Sequence, residues 1–343
     1  MRIAQIMAGA PAGGAELFYE RLSAALARAG EQVLPIIRRD PGRAGRLRAE
    51  GLQPMELTFG GPLDLLTAPR LGRALRDFAP RIAVAWMNRA ARFTPQGGWV
   101  LAGRLGGFYD LGYYRRCDHL IGNTRGIVDW ITAQGWPASR AHYLPNFVPD
   151  MMGADPAPLP CPPGAPVVLA LGRLHRNKAF DTLIRALRHM PGIHAVIAGE
   201  GPERAALTAL AQAEGVADRL HLLGWRQDTA ALLAACDVMV CPSRHEPLGN
   251  VVIEGWSARR PVVAAASQGP TELIVSGETG LLTPIDNAAA LADAIRGIIG
   301  TQAGTALAAA GRLRYEAEFA EAEVVARWRQ FLAGAEKCSA EKS

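Results

Sequence analysis

VMVCPSRHEPLGNVVIEGWSARRPVVAA, residues 238–265, decides the fold. Val238–Cys241 and Val262–Ala265 are short apolar runs without polar alternation, as strands covered on both faces read. Between them Val251–Ala258 reads as a helix entered through Gly249-Asn250. Strand, helix and strand in succession form a βαβ crossover, the connection that parallel strands require.

The same alternation extends in both directions. Upstream in the second half, strands are expected at Pro166–Leu171, His194–Ala198 and Leu220–Leu223, and downstream at Gly280–Thr283. Helices are expected at Ala179–His189, Glu203–Glu214, Thr229–Ala235, Pro270–Val275 and Ala288–Ile299. The first half repeats the pattern. Its strands are expected at Arg2–Met7, Gln32–Arg38, Arg81–Met87, His119–Gly122 and Ala141–Leu144, and its helices at Ala15–Ala29, Leu65–Phe78 and Thr124–Gln134. The expected class is therefore α/β, with two Rossmann-like βαβ domains facing each other across a cleft.

Eight of the 24 prolines fall between Pro145 and Pro166, which reads as an inter-domain linker. The expected division is a first domain over 1–150, a linker over 151–165 and a second domain over 166–318. A C-terminal helix and polar tail over 319–343 complete the chain, with the helix spanning Glu318–Ala333.

Composition excludes several classes. The chain of 343 residues is 49% hydrophobic and 20% charged, enough to bury two cores. No apolar run reaches spanning length, and the N-terminus lacks the charged region and cleavage site of a signal peptide. Five cysteines without a C-x-x-C suggest neither a disulfide framework nor a zinc site, but reduced cytoplasmic thiols. The histidines show no metal-ligand spacing. With 6% aromatics, a stacking surface for nucleic acid is not expected.

The charge is uneven. Residues 1–155 carry 19 Arg, no Lys and 13 acids, whereas the remainder is nearly balanced. The segment Pro62–Pro80 places Leu71, Leu75 and Phe78 on one helical face and Arg70, Arg73 and Arg76 on another. Such a face suits an anionic membrane, and it is also what an ordinary surface helix over a sheet looks like.

Three loops carry chemistry. Gly9-Ala10-Pro11-Ala12-Gly13-Gly14-Ala15-Glu16 follows the first strand, where glycines let backbone approach an anion. It lacks the G-x-G-x-x-G spacing of a dinucleotide site. Gly172-Arg173-Leu174-His175-Arg176-Asn177-Lys178 follows another strand. Lys178 is one of three lysines in the chain, and with Arg173 it suits a diphosphate leaving group. Finally, Glu246 and Glu254 flank Leu248, Gly249, Asn250 and Val251 at a helix start, a pattern suited to sugar and ribose hydroxyls.

These stretches resemble the retaining family 4 glycosyltransferases of the GT-B fold. The resemblance is carried by GRLHRNKAFDTLI, IAGEGPER, LLGWRQD, EPLGNVVIE, RPVVAAASQGPTELI and GETGLLTPIDNAAALADAI, in that order over residues 172–295, and more loosely by Gly13-Gly14-Ala15-Glu16. It implies a nucleoside-diphosphate sugar donor, UDP-sugar favoured, held mostly by the second domain, and a glycan or lipid-linked acceptor on the first. Arg173 and Lys178 would neutralise the diphosphate, Glu254 would bind the ribose, and Glu246 would contact the transferred sugar. Backbone of Leu248, Gly249, Asn250 and Val251 would hold sugar or phosphate oxygens, and Gly13 and Gly14 would approach the phosphate. Gly224 and Trp225 would lie near the base, and the C-terminal helix would return to the first domain. No cofactor and no metal are implied, in keeping with the lack of any Asp-x-Asp. A cytoplasmic enzyme of lipopolysaccharide, exopolysaccharide or glycolipid synthesis, peripheral at the inner membrane face and without nucleic-acid partners, is the resulting expectation.

Two departures from the family pattern are visible. Trp86-Met87-Asn88-Arg89 and Gly106-Gly107-Phe108-Tyr109 hold no His where many relatives have one, and Ala258-Arg259-Arg260-Pro261 has Arg where Gly is more usual. The alternatives on the same two-Rossmann frame are a nucleotide-sugar epimerase, an NAD-dependent oxidoreductase, or a non-catalytic nucleotide-sugar binding module.

Overall fold

The computed structural model describes residues 1–10, 13–61 and 63–336, and the counts below are of those residues. Pro11 and Ala12 of the glycine-rich loop, Pro62, and the tail from 337 with Cys338 lie outside them. The chain divides into two compact units, Met1–Asn146 together with the segment from Glu321, and Phe147–Ala320.

In the first unit the strands are β1 (Arg2–Met7), β2 (Gln32–Arg38), β3 (Met55–Leu57), β4 (Ile82–Trp86), β5 (Val100–Leu105), β6 (His119–Gly122) and β7 (Ala141–Tyr143). Helices α1 (Gly14–Arg28), α2 (Pro41–Ala49), α3 (Thr67–Phe78), α4 (Met87–Phe93) and α5 (Arg125–Ala133) lie between them. All pairings are parallel, in the order β3-β2-β1-β4-β5-β6-β7. Pro35 is tolerated inside β2 because β3 pairs only with Ile36, Ile37 and Arg38.

Strands β3 and β5 are additions to the sequence reading. β3 is three residues on a sheet edge. β5 is interrupted by Gly103 and Arg104, which obscure its apolar character. A Cβ on Gly103 would lie 2.5 Å from the Tyr114 ring, and Arg104 is buried over Phe18 and Trp86 at 4.9 and 4.4 Å.

The second unit repeats the plan. Its strands are β8 (Val167–Leu171), β9 (His194–Ala198), β10 (Leu220–Gly224), β11 (Val238–Cys241), β12 (Val262–Ala265) and β13 (Leu281–Thr283). They are ordered β10-β9-β8-β11-β12-β13 and are parallel throughout. The helices are α6 (Phe180–Leu187), α7 (Arg204–Ala213), α8 (Thr229–Ala234), α9 (Asn250–Ser257), α10 (Gln268–Leu273), α11 (Ala288–Ile298) and α12 (Gln302–Arg314). Helix α12 has weak periodicity because it packs through small residues: a Cβ on Gly311 would lie 2.3 Å from the Trp256 indole.

The proline-rich segment is part of this unit. Val148, Met151 and Ala157 are buried in its core with Trp256, and the Tyr315 hydroxyl donates to the Val148 carbonyl at 3.1 Å. After a π-helical turn over Tyr315–Phe319 the chain enters α13 (Glu321–Gly334), three residues later than the periodicity suggests. Helix α13 packs with the first unit. Trp328 stacks on Trp86 at 6.4 Å and 7°, and Arg329 pairs with Glu31 at 2.9 Å. Truncating so large a buried ring typically costs about 3–5 kcal/mol. No helix among the described residues is long and apolar enough to cross a membrane.

Candidate active site

The order of the second sheet reverses between β8 and β11. Connections leave these neighbours in opposite directions, which opens a crevice at their carboxyl ends. The loops on either side of that point carry most of the residues singled out by sequence.

The loop after β8 is built on glycines that only a missing side chain permits. Gly172 has φ 142°, and a Cβ there would meet the Lys178 methylenes at 3.3 Å. A Cβ on Gly199, just after β9, would lie 1.8 Å from the Gly172 carbonyl oxygen. The two loops therefore run backbone against backbone, and Lys178 is carried on the 3-10 turn Arg176–Lys178 before α6.

The loop after β11 is pinned to that turn. The Arg244 and His245 amides donate to the Asn177 carbonyl at 2.8 and 3.3 Å. The Arg244 guanidinium donates to both Asp181 carboxylate oxygens at 2.9 and 2.7 Å, and pairs with Asp286 at 2.6 Å. Asp181, then Asp286, holds it above the usual arginine range. The Gly269 amide donates to the Glu246 carbonyl at 2.7 Å, and a Cβ on Gly269 would lie 2.3 Å from the Leu248 carbonyl.

With the two loops so fixed, the Lys178 ammonium donates to Glu246 Oε2 in an ion pair. The side chains are 24% and 12% exposed, so the pair is sheltered but reachable. Burial pulls the ammonium down, but the charge and hydrogen bond of Glu246, helped by Glu254, outweigh it and leave Lys178 above the ordinary lysine value. The Ser243 hydroxyl donates to the same Glu246 oxygen at 3.4 Å. Burial, then Glu246, pushes the neighbouring Cys241 thiol up to about 11, so it stays protonated.

Helix α9 begins beside this pair. Gly249 turns the chain at φ 87°, and no side chain caps the helix start. Leu248 and Gly249 are buried, while Asn250, Val251 and Glu254 are half-buried. A helix start of this kind presents N–H groups and a positive dipole end to oxygen ligands. Arg173 is exposed, and none of the described residues pairs with its guanidinium. Trp225 is 69% exposed after Gly224. The structure thus brings Lys178, Glu246, Glu254 and the α9 start to one sheet edge.

Gly13 and Gly14 belong to the first unit. Both are exposed; Gly13 is extended and Gly14 opens α1. A Cβ on Gly13 would lie 2.3 Å from Glu16 Oε2, and the Glu16 carboxylate accepts the Ala10 amide at 2.8 Å. In the segment that lacks the family's His, the Tyr114 hydroxyl donates to Asn88 Oδ1 at 2.9 Å, and Met87 has φ 63°.

Sequence reasoning missed Ser243, Arg244, Asn177, Asp181, Asp286 and Gly269. Ser243 acts through a hydroxyl bond to nearby Glu246, and the others through backbone and ion-pair contacts between segments up to 68 residues apart, which loop-by-loop reading does not connect. Within Ala258-Arg259-Arg260-Pro261, Arg259 takes a left-handed conformation at φ 54°.

Residues 165–301 match the family model described as glycosyl transferases group 1. The chain is 36% identical over 330 residues to the lipopolysaccharide core biosynthesis glycosyltransferase LpsE of Rhizobium meliloti, covering 94% of this chain and 96% of that protein. It is 34% identical over 295 residues to LpsD of the same organism, covering 83% and 84%. HepE of Anabaena, solved in complex with UDP, superposes with a TM-score of 0.84 at 21% identity over 98% of this chain and 100% of that one. The two parallel sheets are those of the GT-B glycosyltransferases. The chain belongs to the group 1 glycosyl transferases and is a glycosyltransferase.

Proposed function

We propose that this glycosyltransferase moves a sugar from a nucleoside-diphosphate sugar, UDP-sugar favoured, to a glycan or lipid-linked acceptor in lipopolysaccharide core synthesis, with retention and without a metal. The observation that carries the reading is the Lys178–Glu246 pair beside Glu254 and the uncapped start of α9. Relatives named for lipopolysaccharide core biosynthesis, similar over nearly the whole chain, support the pathway, and a fold neighbour solved with UDP supports the base.

In this reading the bond from the anomeric carbon to the diphosphate oxygen breaks, and its electron pair leaves with the diphosphate. Lys178 and Arg173 meet the growing charge, and the α9 N–H groups of Asn250 and Val251 add to them. Lys178 remains cationic throughout because its ammonium is held above the ordinary lysine value. Glu246 orients Lys178 and faces the sugar, while Leu248 and Gly249 shape the backbone around it. Glu254 takes the ribose hydroxyls, and Trp225 flanks the base. The acceptor oxygen bonds to the anomeric carbon on the face the diphosphate leaves, and its proton passes to a diphosphate oxygen. Gly13 and Gly14 are assigned to the phosphate by family resemblance alone.

Peripheral membrane contact is part of the proposal. Leu63, Leu65 and Leu66 are 93, 80 and 60% exposed, immediately before α3 with its exposed Arg70, Arg73 and Arg76. Asp64 fixes that turn by accepting the Gly60 amide at 2.7 Å and the Thr67 hydroxyl at 2.6 Å. Apolar tips ahead of a basic helix suit an anionic bilayer.

A thermal-shift panel of UDP, GDP, ADP, dTDP and NAD without metal tests the donor. At 100 times its dissociation constant a ligand adds about 2.7 kcal/mol. A shift with one nucleoside diphosphate supports the reading and directs the sugar screen, with product anomeric configuration read by NMR. A shift with NAD alone favours an oxidoreductase activity for the site, and no shift with any nucleotide overturns the donor assignment.

A further inference from the structure

The opposite, amino-terminal edge of the second sheet gathers three side chains that sequence spacing does not connect. Cys161 lies in the proline-rich segment, His194 opens β9, and His221 is the second residue of β10. One ligand atom from each lies within 4.8 Å of the others, and among the described residues this is the one such group of three. His194 Nδ1 faces His221 Nε2 at 3.0 Å, with the rings 10° from parallel. Tetrahedral zinc, bonded to nitrogen at about 2.0–2.1 Å and to sulfur at about 2.3 Å, holds its ligand atoms about 3.3–3.6 Å apart, so the His pair stands near that spacing and Cys161, within 4.8 Å of both, needs only a small side-chain shift to join it. The sequence reading found no zinc site because the ligands come from three segments brought together only by sheet pairing and by the packing of 147–166.

We propose that Cys161, His194 and His221 form a site for a zinc-class divalent cation, with the fourth position open to water. One thiol and two imidazoles are a donor set that favours borderline, nitrogen- and sulfur-preferring ions over magnesium or calcium. On binding, the Cys161 thiol loses its proton to solvent and the thiolate sulfur bonds the metal. The ring proton shared between the two histidines moves to the outward nitrogen of its own imidazole, so that both facing nitrogens donate lone pairs. About one proton is released per ion. The ion would fasten the proline-rich segment to the β9–β10 edge, away from the loops after β8 and β11, so it takes no part in sugar transfer.

The first unit supplies an internal control. His119 Nδ1 faces His142 Nε2 at 3.0 Å on β6 and β7, but the outward His119 Nε2 is hydrogen-bonded to the Glu336 carbonyl at 2.8 Å, and no third ligand joins the pair among the described residues.

The test is zinc binding by the full chain without a histidine tag, in competition with a chromogenic chelator. One ion per chain is expected. Cys161→Ser and His221→Ala should each weaken binding at least about tenfold, while His142→Ala should leave it unchanged. Zinc should raise the melting temperature of the wild type and not that of Cys161→Ser. Cobalt should give a thiolate charge-transfer band that needs no variant to read. No band at saturating cobalt, or equal zinc affinity in wild type and Cys161→Ser, would overturn the site. Turnover with chelator present is read separately, since removing this ion should leave transfer intact.

Discussion

The loops that follow β1 and β8 occupy equivalent places in two sheets whose first six strands share one order, yet they are built for opposite charge. After β1 the glycines enclose a carboxylate of the chain itself, Glu16, which takes the Ala10 amide. After β8 Gly172 lies against the stem of Lys178, and its ammonium points to Glu246. A topology repeated within one chain therefore fixes where a loop stands and not what it does. The chemistry resides in which side chain fills the glycine loop and which neighbouring loop is fastened to it.

The largest effect expected from this contrast is at Lys178. Lys178→Ala should lower kcat by about 10²–10³, the usual loss when one preorganised charge donor is removed. Steady-state kinetics with the identified donor reads it. Glu16→Gln, at the equivalent loop of the first unit, should change kcat by less than about threefold, because its carboxylate is occupied with the Ala10 amide. An equal loss in both variants would break the contrast.

The glycine at the back of the loop comes next. Gly199→Ala forces a methyl group against the Gly172 carbonyl and should destabilise the protein by about 1–3 kcal/mol in urea denaturation. Unchanged stability would mean that the two loops are not held as closely as described.

Arg244 sharpens the comparison, because it ties the loop after β11 to the turn after β8, whereas the arginine at the loop after β1, Arg43, donates to the Ala10 backbone carbonyl there and pairs with Glu20. Arg244→Ala releases the Glu246 loop from Asp181 and Asp286 and should lower kcat about tenfold, with KM for the donor less affected. Arg244 touches no reacting atom in the proposal, so partial rescue by Arg244→Lys should separate positioning from simple loss of folding.

Acidity gives a further check. Lys178 has its ammonium raised, so the stabilisation from its pair with Glu246 is fully present below the ordinary lysine range of about 10.4 and is lost as pH rises beyond it. A basic limb of the pH–rate profile below about pH 9.5 that disappears in Lys178→Arg would contradict that order. The smallest effect is at Arg259, whose left-handed backbone costs about 1–2 kcal/mol, partly offset by the extra freedom a glycine would lose on folding; Arg259→Gly should raise the melting temperature slightly and leave turnover unchanged.

Much of this was legible in the chain. The alternation around residues 238–265 led to two parallel sheets, and the rarity of lysine drew attention to Lys178. Glu246, Glu254 and the α9 start were visible because a helix entered through Gly249 announces itself. Strand β5 was hidden because a buried arginine, stabilised by ring faces, looks like surface. Arg244, Asp181 and Asp286 were hidden because an ion pair between distant segments leaves no periodic trace. The Cys161, His194 and His221 cluster was hidden for the same reason, since sheet order and not spacing brings the three together.

Calorimetric titration of the identified nucleoside diphosphate into the wild type, Lys178→Ala and Glu16→Gln tests the diphosphate assignment most directly. Affinity should fall at least about tenfold in Lys178→Ala, as expected for loss of a charge-assisted contact to phosphate, and should hold in Glu16→Gln. Undiminished binding in a folded Lys178→Ala would contradict the assignment of the diphosphate to the loop after β8.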